Sequence, residues 1–584
     1  MTKNRERANM FQLLRYLKNY KKESVLAPLF KMLEACFDLL VPLVVAAIID
    51  HGIAQRDSGY VWKMGGVLVV LAVAGLAFSI TAQYFAAKAS AGFGKRLRHD
   101  LFAHIGGLSY TQIDQYGAST FITRMTADIN QIQTQVNMAL RLLLRSPFIV
   151  VGAMIMAFTV DVKTALVFAV SIPVLSVIVY GIMLITIPLY KRVQGMLDRV
   201  MESTRENLNG TRVIRAFNQE KEEIVRYQEE NEILNRFQIF AGRISTLMNP
   251  ATYIVVNVAI IAILWVGGQR VQSGSLTQGE VVALVNYMSQ VLVELIKLAS
   301  LIINLTKAFA CARRVNDIFA IQGEQDDGTL SEGIDKNIKV EFDNVSLKYA
   351  GAGGESIQHI CMKVKPGETI GIIGGTGSGK TSLVNLIPGF YKATEGVVKI
   401  EGSDIREFQK QALREKVRIV PQKALLFQGT IRSNLLWGNG DATEEELIDA
   451  LKKSQSYEFV MEKEKGLDAE VAQSGKNFSG GQKQRLTIAR ALVGKPEILI
   501  LDDSSSALDF ATDARLRATI RALEGVTTFV VSQRTSSIMH ADQILVLDDG
   551  QMAGLGPHET LLENCQVYRE IYESQFQQNA KEGR

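Results

Sequence analysis

The first half of the chain is dominated by long apolar runs, and the second half alternates short apolar runs with polar, glycine-punctuated turns. Residues 64–87, 164–190 and 244–269 contain no Asp, Glu, Lys or Arg. Each run exceeds the roughly 20 residues with which a helix crosses about 30 Å of hydrocarbon. Three further runs carry charges: 25–49 with Lys31, Glu34 and Asp38, 138–160 entered past Arg141 and Arg145, and 281–306 interrupted by Glu294 and Lys297. Charges at membrane depth are tolerated where they face a bundle interior or water. The pattern therefore predicts six membrane-spanning helices, with Glu34, Asp38, Glu294 and Lys297 as candidates for the lining of an internal cavity. Glu294 and Lys297, at i and i+3 of one helix, can instead pair with each other.

The connections alternate in length. Those after the first, third and fifth spans are short ("HGIAQRDSGY", "DVK", "RVQSGSLTQGE"), whereas 88–137 and 191–243 are charged, proline-free and helical in pattern. Each long connection has about 50 residues, so half of it could carry a helix ~35 Å away from the bilayer and half could bring it back. Lys3, Arg5, Arg7, Arg15, Lys18, Lys21 and Lys22 precede the first span, while its short connection holds only Arg56. This asymmetry predicts a multi-pass cell-membrane protein with a cytoplasmic N-terminus, and an even number of spans returns the C-terminal half to the cytoplasm. The first span is long enough to stay as an anchor, so no cleaved signal is expected. "NMFQLLRYLKNYKK" reads as an amphipathic elbow on the inner leaflet.

Composition narrows the picture. Of 584 residues, 47% are hydrophobic and 11 are proline, and the net charge of +4 gives no basic field suited to nucleic acid. Cys36, Cys311, Cys361 and Cys565 show no metal-ligand spacing and read as reduced, mostly buried thiols.

From Val340 onward, strand-like and helical runs alternate, which predicts a soluble α/β domain. Its strongest signal is "GGTGSGKT", Gly374, Gly375, Thr376, Gly377, Ser378, Gly379, Lys380 and Thr381, set between the strand "TIGII" and a helix opening at Ser382. Such a loop cradles phosphate: its backbone N–H groups close around the anion, Lys380 reaches the β- and γ-phosphates, and Thr381 can ligate Mg²⁺. A second buried strand, "EILIL", places Asp502 at the C-terminal edge of the sheet, where a carboxylate holds Mg²⁺ through water.

Between these motifs lies "NFSGGQKQRLTIARAL", with Ser479, Gly480, Gly481 and Gln482, which resembles the signature of ATP-binding cassette (ABC) proteins; Ser479 is also placed to cap the following helix. With six spans, two long inward connections and one C-terminal cassette, the whole chain resembles a half-exporter of the multidrug type without an N-terminal peptidase domain. The resemblance implies a six-span α-helical transmembrane domain followed by an α/β P-loop nucleotide-binding domain, with ATP and Mg²⁺ as cofactors. The division implied is 1–22 elbow, 23–310 membrane domain, 311–338 linker, 339–575 ABC domain and 576–584 tail. "DQYGASTFITRMTADINQI" and "ENLNGTRVIRAFNQE" resemble the segments that dock on the two cassettes of a pair. Tyr349 matches the aromatic that stacks on adenine, with a core tyrosine as its rival. Gln422 matches the glutamine that links Mg²⁺ and attacking water to the coupling helices, and Asp509 matches the loop addressing the opposite site.

The chain departs from this family at three places. Asp503 stands at the catalytic glutamate, Gln533 at the histidine that contacts the γ-phosphate, and Gln473 at a glutamate ahead of the signature. Aspartate keeps the charge but loses about 1.5 Å of reach, and an amide cannot carry an imidazolium charge. Cassettes of this family pair head to tail, each ATP lying between one phosphate loop and the other chain's signature. The resemblance therefore implies a heterodimer with a different half-transporter, in which this chain binds ATP at a poorly hydrolysing site and lends an intact signature to its partner. The implied cargo is an amphipathic drug, lipid or peptide. A nucleotide-gated channel or sensor is the alternative, and the membrane spans exclude a soluble cassette acting on DNA or ribosomes.

Overall fold

The computed structural model describes residues 12–323, 328–504 and 507–582, the last with side chains to 575. The start of the expected elbow, part of the linker and the end of the tail lie outside the described residues. The chain divides into two compact units, one running to Gly106 and resuming over Ser119–Ile321, the other comprising Gly107–Ala118 and the chain from Gln322 onward.

In hydrocarbon every backbone N–H and C=O must be satisfied within the segment, and the apolar runs accordingly become helices. Among the described residues six helices are long and apolar enough to cross a membrane: α1 (Leu14–Ile53), α2 (Ser58–Gly106), α4 (Ala118–Val160), α5 (Val162–Asn209), α7 (Glu220–Gln272) and α8 (Gln278–Phe319). Two short helices, α3 (Tyr110–Tyr116) and α6 (Thr211–Ala216), occupy the turns of the long connections. The expected spans all fall inside the long helices, whose 40 to 53 residues outrun a bilayer and continue into those connections. α1 begins as a 3-10 segment, Leu14–Tyr20, and bends at Tyr20 (φ −123°, ψ 36°). The "DVK" connection shrinks to Asp161, which caps α5 by accepting from Thr164 N (2.9 Å) and pairs with Arg270 (2.9 Å). α8 continues past the expected linker boundary at 311 to Phe319.

Two sequence expectations need correction here. Glu34 and Glu294 do not line an open cavity: Glu34 takes a hydrogen bond from Lys31 Nζ (2.5 Å), and Glu294 accepts from Arg145 (2.6 Å), Ser146 (2.7 Å) and Lys297 (2.9 Å). A carboxylate removed from water is tolerated only when paired in this way. The cysteines are evenly split, Cys311 and Cys565 buried and Cys36 and Cys361 exposed.

The second unit is built on sheets. One has the order β2 (Ile357–Val364), β1 (Val340–Leu347), β4 (Glu395–Ile400), β5 (Ser403–Asp404). The larger has the order β12 (Gln551–Gly556), β11 (Gln543–Asp548), β3 (Thr369–Gly374), β10 (Thr527–Val531), β9 (Ile498–Asp502), β6 (Val417–Val420). β7 (Gly429–Thr430) and β8 (Glu470–Val471) form a small ribbon. In the larger sheet β11, β3, β10, β9 and β6 run parallel. Their continuous apolar runs reflect burial on both faces, with β9 buried throughout. Parallel strands place all their C-terminal ends at one edge, where α/β sheets bind ligands.

Candidate nucleotide site

Four of the five parallel strands deliver the expected side chains together at that edge. β3 runs into the phosphate loop, β6 leads to Gln422, β9 ends in Asp502 with Asp503 beyond, and β10 leads to Gln533. Lys380, Thr381, Ser382, Gln422, Asp502, Asp503 and Gln533 share a cleft of about 230 Å³ with Thr376, Gly377 and Gly379. The loop needs its glycines: Gly377 and Gly379 have φ of 85° and 91°, and a Cβ at Gly379 would lie 2.5 Å from the Ser356 carbonyl oxygen. Only glycine enters this left-handed region freely, so the backbone can curl its N–H groups inward to meet an anion.

α9 (Lys380–Val384) begins at the loop's end, and its Lys380 Nζ donates to the carbonyls of Gly374 (2.9 Å) and Gly375 (2.6 Å). Burial lowers the pKa of Lys380, and burial raises those of Asp502 and Asp503. Thr381 Oγ1 donates to Asp502 Oδ1 (3.1 Å), and Gln422 Nε2 to Asp503 Oδ2 (3.3 Å). This set of hydroxyl, carboxylate and amide oxygens fits Mg²⁺, a hard cation that keeps several waters and bridges to phosphate. Asp503 has φ 44°, a left-handed conformation that aspartate tolerates better than most residues.

Other expected residues stand apart. Ser479 caps α10 (Gly480–Val493) in a reciprocal box, accepting from Gln482 N (3.3 Å) while Gln482 Oε1 accepts from Ser479 N (3.0 Å). Asp509 caps α11 (Phe510–Arg521) by accepting from Thr512 N (2.9 Å). Neither these residues nor Gly480, Gly481 and Tyr349 line the cleft; Ser479 and Gly480 are exposed, as is Gln473. Tyr349 donates to Ser382 Oγ (3.0 Å) and meets Tyr391 edge-on, with ring centroids 5.0 Å apart.

Sequence reasoning missed one support, Gln575, and the aromatic partners of another, the segment from Asp114 that was expected to dock on a cassette. Gln575 Oε1 accepts from Thr535 N (2.9 Å) and Thr535 Oγ1 (2.8 Å), and its Nε2 donates to the Gln533 carbonyl (2.7 Å), stapling the turn that carries Gln533. Tyr110 stacks on Phe390 (4.4 Å), and Asp114 accepts from Tyr391 OH (2.5 Å), so α3 packs within the cassette unit. The aromatic "GFY" at 389–391 was the available signal for the second; nothing local marked Gln575.

Residues 24–295 match the ABC transporter transmembrane region and 357–506 match the ABC transporter domain. YfiB of Bacillus subtilis (strain 168), an uncharacterised ABC transporter ATP-binding protein, is 36% identical over 98% of this chain and 100% of its own length. An ATP-dependent lipid A-core flippase of Chromobacterium violaceum is 28% identical over 97% of each chain. The structure of a bacterial Atm1-family ABC exporter with ATP bound shares the fold, with a TM-score of 0.78 at 23% identity over 95% of this chain and 98% of that one.

Proposed function

Since the chain belongs to the ABC transporter family, as a half-transporter carrying one transmembrane region and one cassette, we propose that it works as the degenerate half of a heterodimeric exporter. It moves an amphipathic drug, lipid or peptide out of the cell, with its N-terminus and cassette in the cytoplasm. The observation that carries this reading is the division of the motifs. The cleft beside the chain's own phosphate loop holds Asp503 and Gln533, while the signature residues Ser479 and Gly480 stand exposed away from it.

Hydrolysis needs a water placed in line with the γ-phosphate and charge-stabilising donors around the three equatorial oxygens. Mg²⁺, when bound by Thr381 and Asp502 with Gln422 beside them, would neutralise charge on the β- and γ-phosphate oxygens. The water falls to Asp503. A carboxylate short by about 1.5 Å misplaces it, and a displacement near 1 Å costs on the order of 10²-fold in rate. At the other site, the hydroxyl of Ser479 and the N–H groups at the start of α10 meet the partner's γ-phosphate as charge develops.

The second long connection supports a two-chain assembly. At its turn Leu208, Val213 and Phe217 are 73%, 60% and 71% exposed, an apolar tip suited to docking on a partner's cassette. ATP-driven accumulation of an amphipathic dye in inverted vesicles containing both chains tests the reading. A gradient supports an exporter, whereas nucleotide-dependent equilibration alone would make the chain a channel or sensor.

A further inference from the structure

Six ionisable residues from three spanning helices, joined by a serine of a fourth, form one network. Lys31 of α1 donates to Glu34 (2.5 Å) and to Ser79 of α2 (3.0 Å). Arg145 of α4 lies between Asp38 (2.8 Å) and Glu294 of α8 (2.6 Å), with Glu34 at 3.9 Å. Lys297 donates to the same Glu294 oxygen (2.9 Å). Asp38, Arg145 and Glu294 each lie about 23 Å along their helices from the ends joined by short connections. That places them well within the apolar spans.

Exposure divides the network. The side chains of Lys31, Glu34, Arg145 and Glu294 are 8%, 13%, 11% and 5% exposed, whereas those of Asp38 and Lys297 are 43% and 44% exposed. Only one carboxylate and one ammonium, separated by the Arg145 guanidinium and the Glu294 carboxylate, therefore reach an open surface. The face of α8 around Lys297 is polar: its exposed positions from 286 to 300 are Asn286, Ser289, Val293, Lys297 and Ser300. By contrast, α2 exposes Val69, Val70, Val73, Leu76 and Ile80 at membrane depth. A polar face on a spanning helix belongs against water or protein, not lipid.

Resting on the exporter reading above, we infer that Asp38 and Lys297 form a headgroup subsite for an amphiphile whose headgroup is zwitterionic. A ligand ammonium meets Asp38, and a ligand phosphate or carboxylate meets Lys297. Neutrality decides between ligand classes. The network holds three cations and three anions, and a ligand charge that meets no opposite charge gains nothing to offset its lost hydration. A zwitterion adds two charge-assisted contacts and leaves the site neutral, while a simple cation or anion leaves one end unmatched.

The test uses the full chain in lipid nanodiscs, in the oligomer in which it purifies, crosslinked by a photoreactive alkyl phosphoethanolamine. The competitors share one alkyl tail and carry phosphoethanolamine, trimethylammonium or methyl phosphate headgroups, the last a singly charged diester. For the wild type, the zwitterion should compete about tenfold better than either singly charged amphiphile. Lys297→Met should shift the preference to the cation, and Asp38→Asn to the anion. If Asp38→Asn fails to assemble, Asp38→Glu must retain the preference, and Lys297→Met carries the decision. Equal competition by all three headgroups in the wild type, or uniform loss of all three in the variants, overturns the subsite and leaves the network a structural clasp. Failure of ATP-driven transport would remove the exporter reading and leave these ratios standing.

Discussion

Lys380 is held where its charge is poorly solvated: burial lowers its pKa, and the carboxylates of Asp503 and Asp502 offset this only in part. A polyphosphate entering the cleft supplies the missing counter-charge. Lys380→Ala is therefore expected to weaken ATP photolabelling of this chain at least tenfold, since a charge-assisted contact contributes roughly 1.5–3 kcal/mol; unchanged labelling would remove the lysine from the site. Asp503→Glu has the opposite purpose and a smaller expected effect. On the proposed reading it restores reach to the attacking water but leaves Gln533 unchanged, so turnover at this site should rise less than about tenfold, measured in the proposed pair with the partner's own site disabled. Residues of this kind were legible in the sequence because a phosphate loop and a signature have fixed spacing. Gln575 was not, because it reaches Gln533 and Thr535 from a helix some 40 positions further along the chain, and a lone amide on a polar helix carries no pattern.

Spans and strands obey a simpler rule. Apolar runs became helices in the first unit and buried parallel strands in the second, and even the runs interrupted by Lys31, Arg145 and Glu294 held, because Arg145 and Glu294 pair across helices and Lys31 pairs with Glu34 one turn along its own. What the runs could not specify was which charges pair and which stay open, since that depends on helices distant in sequence. The two sheets of the cassette raise the same point. Lys339, just before β1, pairs with Glu401 (2.6 Å) at the end of β4 and with Glu497 ahead of β9, and Lys416, ahead of β6, pairs with Glu497 (2.9 Å). Burial pushes the Glu497 carboxyl up, but hydrogen bonds from Lys339 and Lys416 outweigh it and hold its pKa at about 2. A carboxylate with a lowered folded-state pKa contributes stability above its unfolded value near 4.5, and that contribution is lost as pH falls toward 2. Glu497→Gln should accordingly lower the cassette's melting temperature in the full chain by a few degrees at pH 7. The difference from wild type should shrink between about pH 4.5 and 2; a difference independent of pH would show that the clasp acts through packing alone.

At the scale of the whole molecule, the orientation of the two units across the membrane comes first. In a cysteine-free background, cysteines placed at Ser58 or Ser273, in the short connections, should label from outside intact cells, and cysteines at Ser119 or Asn209 should not. Labelling of Ser119→Cys from outside would reverse the topology. The central claim is the division of labour between what this chain holds and what it lends, and ATP turnover by the reconstituted pair measures it directly. Each variant of this chain is combined with wild-type partner at saturating nucleotide. Asp503→Ala should change turnover only a few-fold, because on the proposed reading the job of placing water is already compromised at that site, whereas Ser479→Ala should lower it by an order of magnitude or more through the partner's site. Abolished turnover in Asp503→Ala together with undiminished turnover in Ser479→Ala would contradict the account.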